Sequence, residues 1–179
     1  FPHHECEIAQ SQCACGKQFV RHWMHKRFMD LGDQRLSKSL GNVLNIPDIL
    51  EMGYDAMDLR YYLLSVHYRT NLKFSEKGLD DARKARRKVV EWIEEMGARA
   101  GAGENEDQMK RAQEFVRQFT DAMNSDLNAP GALAVVFDAM SFTRSEKTLS
   151  AASKEIFDSF IEMIRHTFGS FDSEEASIP

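Results

Sequence analysis

Apolar side chains recur with a helical period of three and four residues through most of the chain after residue 75. The pattern predicts four consecutive helices, from Ser75 to about Met96, around Met109–Met123, from Pro130 to about Met140, and around Ile156–Phe168. Amphipathic helices in succession bury their apolar faces by packing against one another. Residues 75–169 are therefore predicted to form an antiparallel helical bundle.

The first 44 residues have a different character. His3 to about Cys15 reads as a helix that ends at Gly16, and Phe19–His25 alternates in the manner of a strand. The polar stretch Asp30–Asn42 is typical of a loop. One helix, one strand and one loop are too small to bury a core of their own. Residues 1–44 are therefore interpreted as the edge of an α/β domain.

The remaining segments are short. Asn45 and Asp55 each precede a short helical pattern, so residues 45–74 are predicted to be a helical linker. Residues 170–179 are acidic and read as a flexible tail. The predicted fold is mainly α.

Charge and composition exclude some classes of protein. The chain has 23 Lys and Arg against 28 Asp and Glu, a net charge of −5, which excludes a uniformly basic nucleic-acid binder but leaves room for a local basic patch. No apolar run approaches the ~18 residues of a membrane span, so no membrane partner is expected. Three clustered cysteines, Cys6, Cys13 and Cys15, argue against the disulfide framework of a secreted protein. Since the chain opens at Phe1 without methionine, we expect part of something longer.

His3 and Glu7 are the first candidate site. On a helix, residues four apart share one face, and an imidazole and a carboxylate can both bind Zn²⁺. The alternative is a polar helix N-terminus with no ligand. The residue types alone leave both interpretations open.

The second candidate site is the stretch Arg35–Asn42, in which Lys38 stands between Ser37 and Ser39. An ammonium flanked by hydroxyls in a loop that contains glycine suits a phosphate group. The stretch is not a Walker A loop, because the glycines that precede the lysine there are missing. A solvated basic loop or a kinase target is the alternative.

The third candidate site is a basic run, which consists of Arg83, Lys84, Arg86, Arg87 and Lys88. Its functional interpretation is contact with the phosphate backbone of RNA. The alternative is a solvated helix face paired with nearby acidic side chains.

Five segments resemble one family, and they occur in that family's order: Phe1–Ser11 (FPHHECEIAQS), Trp23–His25 (WMH), Arg35–Asn42 (RLSKSLGN), Leu59–Arg69 (LRYYLLSVHYR) and Asp126–Ala134 (DLNAPGALA). They resemble, in turn, the FPHHENEIAQS segment, the WMH strand, the KMSKSLGN loop, the LRYFLLS…HYR segment and the DxNTPxALA turn of cysteinyl-tRNA synthetases. The KMSKS-like loop by itself indicates a class I aminoacyl-tRNA synthetase. The HHExE, WMH and HYR segments together point to cysteine. Three departures are Cys6 for Asn, Arg35-Leu36 for Lys-Met, and Ala129 for Thr.

The resemblance implies a Rossmann-type catalytic domain that ends in residues 1–44, followed by a linker that contacts the tRNA stem and a bundle that binds tRNA. It implies a cytoplasmic, monomeric ligase of protein biosynthesis that activates L-cysteine with ATP and charges tRNA(Cys). His3 and Glu7 would be two of four Zn²⁺ ligands. Lys38, the catalytic residue, would bind the ATP phosphates together with Ser37 and Ser39, in the motif that Arg35 and Leu36 open. Mg²⁺ would accompany ATP and neutralise the same phosphates.

The resemblance also implies that parts of the family's enzyme lie outside this sequence. Its HIGH motif and two zinc-ligating cysteines would precede residue 1, and a domain that contacts the anticodon would follow residue 179. We therefore expect the chain alone to be inactive. Two other functions stay open: a related ligase that joins cysteine to an amino-sugar, and a non-catalytic RNA-binding helical module.

Overall fold

The computed structural model describes residues 2–31, 34–35 and 45–172, and these residues form seven helices and three short strands. In chain order the elements are α1 (Pro2–Cys15), β1 (Met29–Leu31), β2 (Gln34–Arg35), α2 (Ile46–Glu51), α3 (Ala56–Leu64), β3 (Leu72–Phe74), α4 (Glu76–Ala98), α5 (Glu106–Asn124), α6 (Ala129–Ser145) and α7 (Ala151–Phe168). The predicted mainly α fold, with four long helices at its C-terminal end, is confirmed.

Helix starts follow the capping residues in the sequence. The Ser75 hydroxyl accepts a hydrogen bond from the Gly78 amide at 3.0 Å, at the start of α4. At the start of α2 the Asn45 amide donates to the Asp48 carboxylate at 2.6 Å. Such contacts satisfy polar groups that the first helical turn leaves without a partner. The predicted starts after Asn45 and Ser75 are confirmed.

The four long helices bury a common core that is rich in aromatic rings. Its largest fully buried side chains include Trp92, Phe115, Phe119, Phe157, Phe160 and Phe168. The Phe119 ring meets Phe160 at 5.4 Å and Phe168 at 5.8 Å between centroids, nearly perpendicular to both. Edge-to-face pairs of this kind are electrostatically favoured and fix the relative rotation of the helices. The predicted bundle is thus a packed unit built by α4, α5, α6 and α7.

Replacing Asn128 with alanine should lower the free energy of unfolding by about 1 kcal/mol, because the side chain caps α6. Its Oδ1 accepts a hydrogen bond from the Gly131 amide at 3.0 Å. Urea denaturation of the chain measures the change. Asn124→Ala, an exposed position at the end of α5, serves as the control and should change stability by less than about 0.5 kcal/mol. Equal effects of the two substitutions would contradict the capping role.

A small mixed sheet joins the first segment to the linker. β1 pairs with β2 in antiparallel and with β3 in parallel orientation, so that the strand order is β2-β1-β3. Leu72 and Phe74 of β3 are buried, while Lys73 between them is exposed. The sequence does not predict β3, because three residues carry too little alternation to be recognised. The loop predicted at Asp30–Asn42 is wrong for its first residues, since Asp30 and Leu31 lie in β1 and pair with Arg35 and Gln34 of β2.

The strand predicted at Phe19–His25 is wrong. These residues have no regular secondary structure, and among the described residues none pairs with them in a ladder. Alternating side chains give a strand only where a neighbouring backbone supplies hydrogen bonds. Strand pairing begins four residues later, at Met29 in β1.

The linker contacts the far end of the bundle through two arginines. Arg60 of α3 donates from Nε to the Phe168 carbonyl at 2.7 Å, at the C-terminus of α7. Arg86 of α4 donates to the Ser170 carbonyl at 2.8 Å and to the Asp58 carboxylate at 3.1 Å. Ser170 and Phe171 are buried, so the packed structure extends two residues into the segment that was predicted to be a flexible tail from residue 170. Residues 173–179 lie outside the described residues.

Candidate functional site

α1 carries the two candidate metal ligands. His3 and Glu7 are both exposed and lie one helical turn apart on the same side of α1. The helix ends at Gly16, which has a positive φ of 63° and whose amide donates to the Gln12 carbonyl at 2.8 Å. The predicted helix and its end at Gly16 are confirmed.

The donor types fit Zn²⁺, but the described residues supply half of a site. A tetrahedral zinc centre needs four ligands, and an imidazole and a carboxylate are two of the usual ones. Within residues 2–31, 34–35 and 45–172 no group of three or more His, Cys, Asp or Glu side chains is placed to hold a metal ion. His3 and Glu7 are therefore two donors of the types that zinc binds, and a site that uses them needs further ligands from outside the described residues.

Aromatic and imidazole rings lie against α1 beside the candidate ligands. The His4 ring is 4.8 Å from Trp23 and 4.6 Å from His25, measured between centroids. Trp23 and His25 are nearly parallel at 6.4 Å, and Phe19 meets Trp23 edge-on at 6.0 Å. Phe19, Trp23 and His25 belong to the same set of alternate residues in the segment 19–25. The alternation in the sequence therefore identifies side chains that lie on one side of the segment, although no strand forms.

The next residues attach this segment to the linker. Lys26 donates from Nζ to the Leu63 carbonyl, in the last turn of α3, at 2.8 Å. Partial burial lowers the pKa of Lys26 below its usual value. The Arg27 amide donates to the Tyr68 carbonyl at 2.8 Å, one residue before Phe28 accepts from the Leu72 amide at 3.3 Å. Residues 26–31 therefore lie along the linker through a continuous series of hydrogen bonds.

A cluster of four residues joins the linker to the α5–α6 turn; it consists of His67, Tyr68, Arg69 and Asp126 and is called the Asp126 cluster below. Arg69 donates to the Asp126 carboxylate from Nε at 2.6 Å and from Nη2 at 3.1 Å. The Tyr68 hydroxyl donates to the same carboxylate at 2.5 Å. His67 Nε2 lies 3.0 Å from the Asp126 carbonyl oxygen.

Hydrogen bonds within the Asp126 cluster shift the pKa values of its members. Hydrogen bonds from Arg69 and then from Tyr68 lower the pKa of Asp126 to about 2, so the carboxylate is ionised at neutral pH. The same contact with Asp126 raises the pKa of the Tyr68 hydroxyl, which keeps its proton and remains a donor. The Arg69 and Asp126 side chains are 65% and 48% exposed, so water and salt weaken their attraction.

Sequence reasoning found both halves of the Asp126 cluster but not their contact. The HYR segment at 67–69 and the turn at 126–134 were recognised separately, as parts of the family resemblance. More than 50 residues separate them, and no periodicity in the sequence connects an exposed arginine to one of many carboxylates. Their pairing is a property of the tertiary structure.

The candidate nucleotide loop is described in part. Arg35 lies in β2, where its backbone pairs with Asp30 of β1. Leu36, Ser37, Lys38 and Ser39 lie outside the described residues. Their predicted contact with ATP stays a prediction.

The basic run on α4 divides into two groups. Arg86 is 4% exposed, and Arg83 lies over the Tyr54 ring at 5.2 Å and 3.6 Å from the Asp58 carboxylate, so both serve the linker–bundle contact. Burial removes Arg86 from the predicted RNA contact. The sequence did carry a signal for this, because Ala82, Arg86 and Val89 fall on one apolar stripe of the helix. Lys84, Arg87 and Lys88 are exposed and remain candidates.

Within the part of the chain that the structure describes, no helix combines the length and the apolar character needed to cross a bilayer.

Two family models match the chain in succession. The model described as tRNA synthetases class I (C) catalytic domain matches residues 1–84, and the model described as DALR domain matches residues 118–171. The first match covers α1, the sheet, the linker and the start of α4. The second covers the end of α5, the turn with Asp126, α6 and α7.

Curated proteins named cysteine–tRNA ligase are similar to most of the chain. The relative from Histophilus somni (strain 129Pt) is 39% identical over 171 residues, which is 94% of this chain and 34% of the relative. The relative from Ralstonia pickettii (strain 12J) is 40% identical over 154 residues, 86% of this chain and 32% of its own length. The relative from Carboxydothermus hydrogenoformans is 36% identical over 175 residues, which is 94% of this chain and 37% of the relative.

The chain spans about a third of the length of the curated relatives it matches. Both family models and these relatives agree with the order of segments on which the sequence resemblance rests. The chain therefore carries class I tRNA synthetase catalytic-domain sequence at residues 1–84, followed by DALR-domain sequence at residues 118–171.

Proposed function

We propose that this protein is a cysteine–tRNA ligase, which activates L-cysteine with ATP and transfers the cysteinyl group to tRNA(Cys). The observation that carries the proposal is the 39% identity over 94% of the chain to a relative of that name. The HHExE, WMH and HYR segments support cysteine as the amino acid. The match to the model of tRNA synthetases class I (C) catalytic domain supports tRNA as the acceptor.

His3 and Glu7 are proposed to supply two of four ligands to a zinc ion. When bound, Zn²⁺ would lower the pKa of the substrate thiol and hold the thiolate, whereas a serine hydroxyl is a poor ligand. Discrimination by a polar contact that the competitor cannot make is far stronger than discrimination by size in an apolar pocket. Both side chains are exposed on α1, so a zinc ion that is also bound by other parts of the protein can reach them.

Lys38 is proposed as the catalytic residue of amino-acid activation. Its ammonium would contact the ATP phosphates and stabilise the charge that develops on the leaving pyrophosphate. Ser37 and Ser39 would hydrogen-bond the same phosphates, and Mg²⁺ would accompany ATP. Arg35, whose backbone pairs with Asp30 of β1, opens this motif, and Leu36 follows it in the sequence.

The domain division is part of the proposal. Residues 1–44 would end the catalytic domain, residues 45–74 would form the linker, and residues 75–169 would form the bundle that binds tRNA. Exposed Lys84, Arg87 and Lys88 on α4 suit contacts with the phosphate backbone, since a local patch binds RNA whatever the net charge. Three exposed cysteines with free thiols favour a reducing compartment such as the cytoplasm, and we propose a monomer.

Amino-acid-dependent exchange between pyrophosphate and ATP, measured with the full-length protein, tests this function. Exchange with cysteine should exceed exchange with serine by at least about 100-fold. His3→Ala and Glu7→Ala should each lose both zinc and exchange, while Gln10→Ala, an exposed position on the same helix, should keep both.

The acceptor decides between the related functions. Charging of tRNA(Cys) is expected, and transfer to an amino-sugar instead would identify the related ligase. RNA binding without exchange would identify a non-catalytic module and would contradict the proposal.

A further inference from the structure

The turn between α5 and α6 has a strained backbone at a residue with several contacts. Asp126 and Leu127 have positive φ angles of 56° and 52°. This left-handed region is unfavourable for most residues with a Cβ atom, Leu127 among them; glycine is the usual occupant, and aspartate is one of the few others found there. Strain of this kind persists where the surrounding structure requires the side chain, and it is often found at functional positions. The turn thus keeps a carboxylate where glycine would be easier to accommodate.

Every oxygen of Asp126 contacts the linker. Both carboxylate oxygens accept hydrogen bonds from Tyr68 or Arg69, and the main-chain oxygen lies within hydrogen-bond distance of His67. Three consecutive residues therefore converge on a single residue of the turn. An isolated surface ion pair would use one side chain on each side and would leave the backbone uninvolved.

Tyr68 has contacts on two sides. Its hydroxyl donates to Asp126, while its carbonyl accepts from the Arg27 amide at 2.8 Å. Residues 26–31 continue from there into β1, which pairs with β3 of the linker. A displacement of Tyr68 from the turn would therefore act directly on residues 26–31.

The segment 26–31 follows the ring stack beside α1. Trp23 and His25 contact His4, the neighbour of His3 in the sequence. A short series of contacts thus leads from the α5–α6 turn through Tyr68 and Arg27 to the α1 surface. Where the members of such a series are hydrogen-bonded and packed, a displacement at one end changes the position of the residues at the other end.

We propose that Asp126 is a positioning residue, which holds residues 67–69 on the α5–α6 turn and thereby fixes residues 26–31 and the neighbouring ring stack relative to the bundle. Removing the carboxylate should loosen these residues while the bundle core stays intact. The inference goes beyond the proposed function and stands on the contacts of this chain alone, whatever reaction the full-length protein catalyses.

Asp126→Gly in the 179-residue chain is the decisive variant, because glycine accepts a φ of 56° and the substitution removes the carboxylate without disturbing the turn. Amide hydrogen exchange should accelerate about tenfold or more at Arg27 and Leu72. Amides of Phe119 and Val136 in the bundle core should stay within about twofold. Leu127→Gly is the matched control, since it relieves the adjacent strain and keeps the carboxylate; it should leave Arg27 and Leu72 unchanged.

Tryptophan fluorescence provides an independent signature. Trp23 is 41% exposed, whereas Trp92 is 1% exposed and donates to Thr143, so acrylamide quenching reports mainly on Trp23. Quenching should increase in Asp126→Gly and stay unchanged in Leu127→Gly. If amide hydrogen exchange at Arg27 and Leu72 is unchanged in Asp126→Gly, the proposal is overturned. The contact between Arg69 and Asp126 is then a surface ion pair that does not position residues 26–31. Equal acceleration in the bundle core, or the same effect in Leu127→Gly, would overturn it as well.

Discussion

Asp58→Ala should lower the free energy of unfolding by about 3–5 kcal/mol, because the substitution leaves a buried arginine without its counter-ion. Asp58 is 1% exposed and Arg86 is 4% exposed, and the carboxylate accepts from Arg86 Nη1 at 3.1 Å. The second carboxylate oxygen lies 3.6 Å from Arg83 Nε. Its loss would therefore affect two guanidinium groups in the contact between linker and bundle. Urea denaturation followed by circular dichroism measures the change.

Two further variants make the Asp58 prediction specific. Asp121→Ala removes an exposed partner of Arg117 and should cost less than about 0.5 kcal/mol. The double variant Asp58→Leu with Arg86→Met replaces the buried pair by apolar side chains and should recover most of the lost stability. A loss below about 1 kcal/mol in Asp58→Ala would contradict the structural role of this ion pair.

Lys38→Ala in the full-length protein should reduce cysteine-dependent exchange between pyrophosphate and ATP by about 100-fold or more. Stabilisation of charge on the leaving group acts in the transition state, so kcat should fall further than the affinity for ATP. Binding of tRNA should change by less than about threefold, since the proposed contact of Lys38 is with ATP. Filter binding and exchange assays on the same preparation separate the two effects.

Lys110→Ala is the control for the Lys38 substitution. Lys110 is 62% exposed, pairs with Glu106 on α5, and has no proposed part in the reaction. It should leave exchange unchanged. An equal loss of exchange and of tRNA binding in Lys38→Ala would argue against the phosphate contact and would indicate a general effect on folding.

The bundle could be predicted because its signals are local. Ser75 and Asn45 precede their helices by one residue, and the apolar period of α4–α7 is long enough to exceed chance. The prediction of a strand at Phe19–His25 is wrong, because a strand needs a neighbouring backbone to pair with. The alternation of side chains contains no information about such a partner. β3 was missed for the opposite reason, since Leu72 and Phe74 are two apolar residues in a stretch too short to show a period.

The candidate site was predictable as a set of residues and not as an arrangement. His3 and Glu7 follow from helical spacing, and α1 is indeed a helix. Arg86 was grouped with its basic neighbours because charge dominates a composition-based interpretation, although the apolar stripe through Ala82 and Val89 already placed it inside. The contact between Arg69 and Asp126 depends on how the linker lies on the bundle, which no local pattern encodes.

The contact from Arg60 to the Phe168 carbonyl has a consequence for the order of folding. These residues are 108 positions apart, whereas α5 and α6 meet across a short turn. At typical rates of synthesis, roughly 5–20 s pass between the appearance of α3 and that of its partner at the end of α7. During that interval Asp58 and Arg86 can already pair, while the carbonyl of Ser170 does not yet exist. We therefore expect closure of this long loop, and with it the docking of the linker against the end of α7, to be completed last in folding.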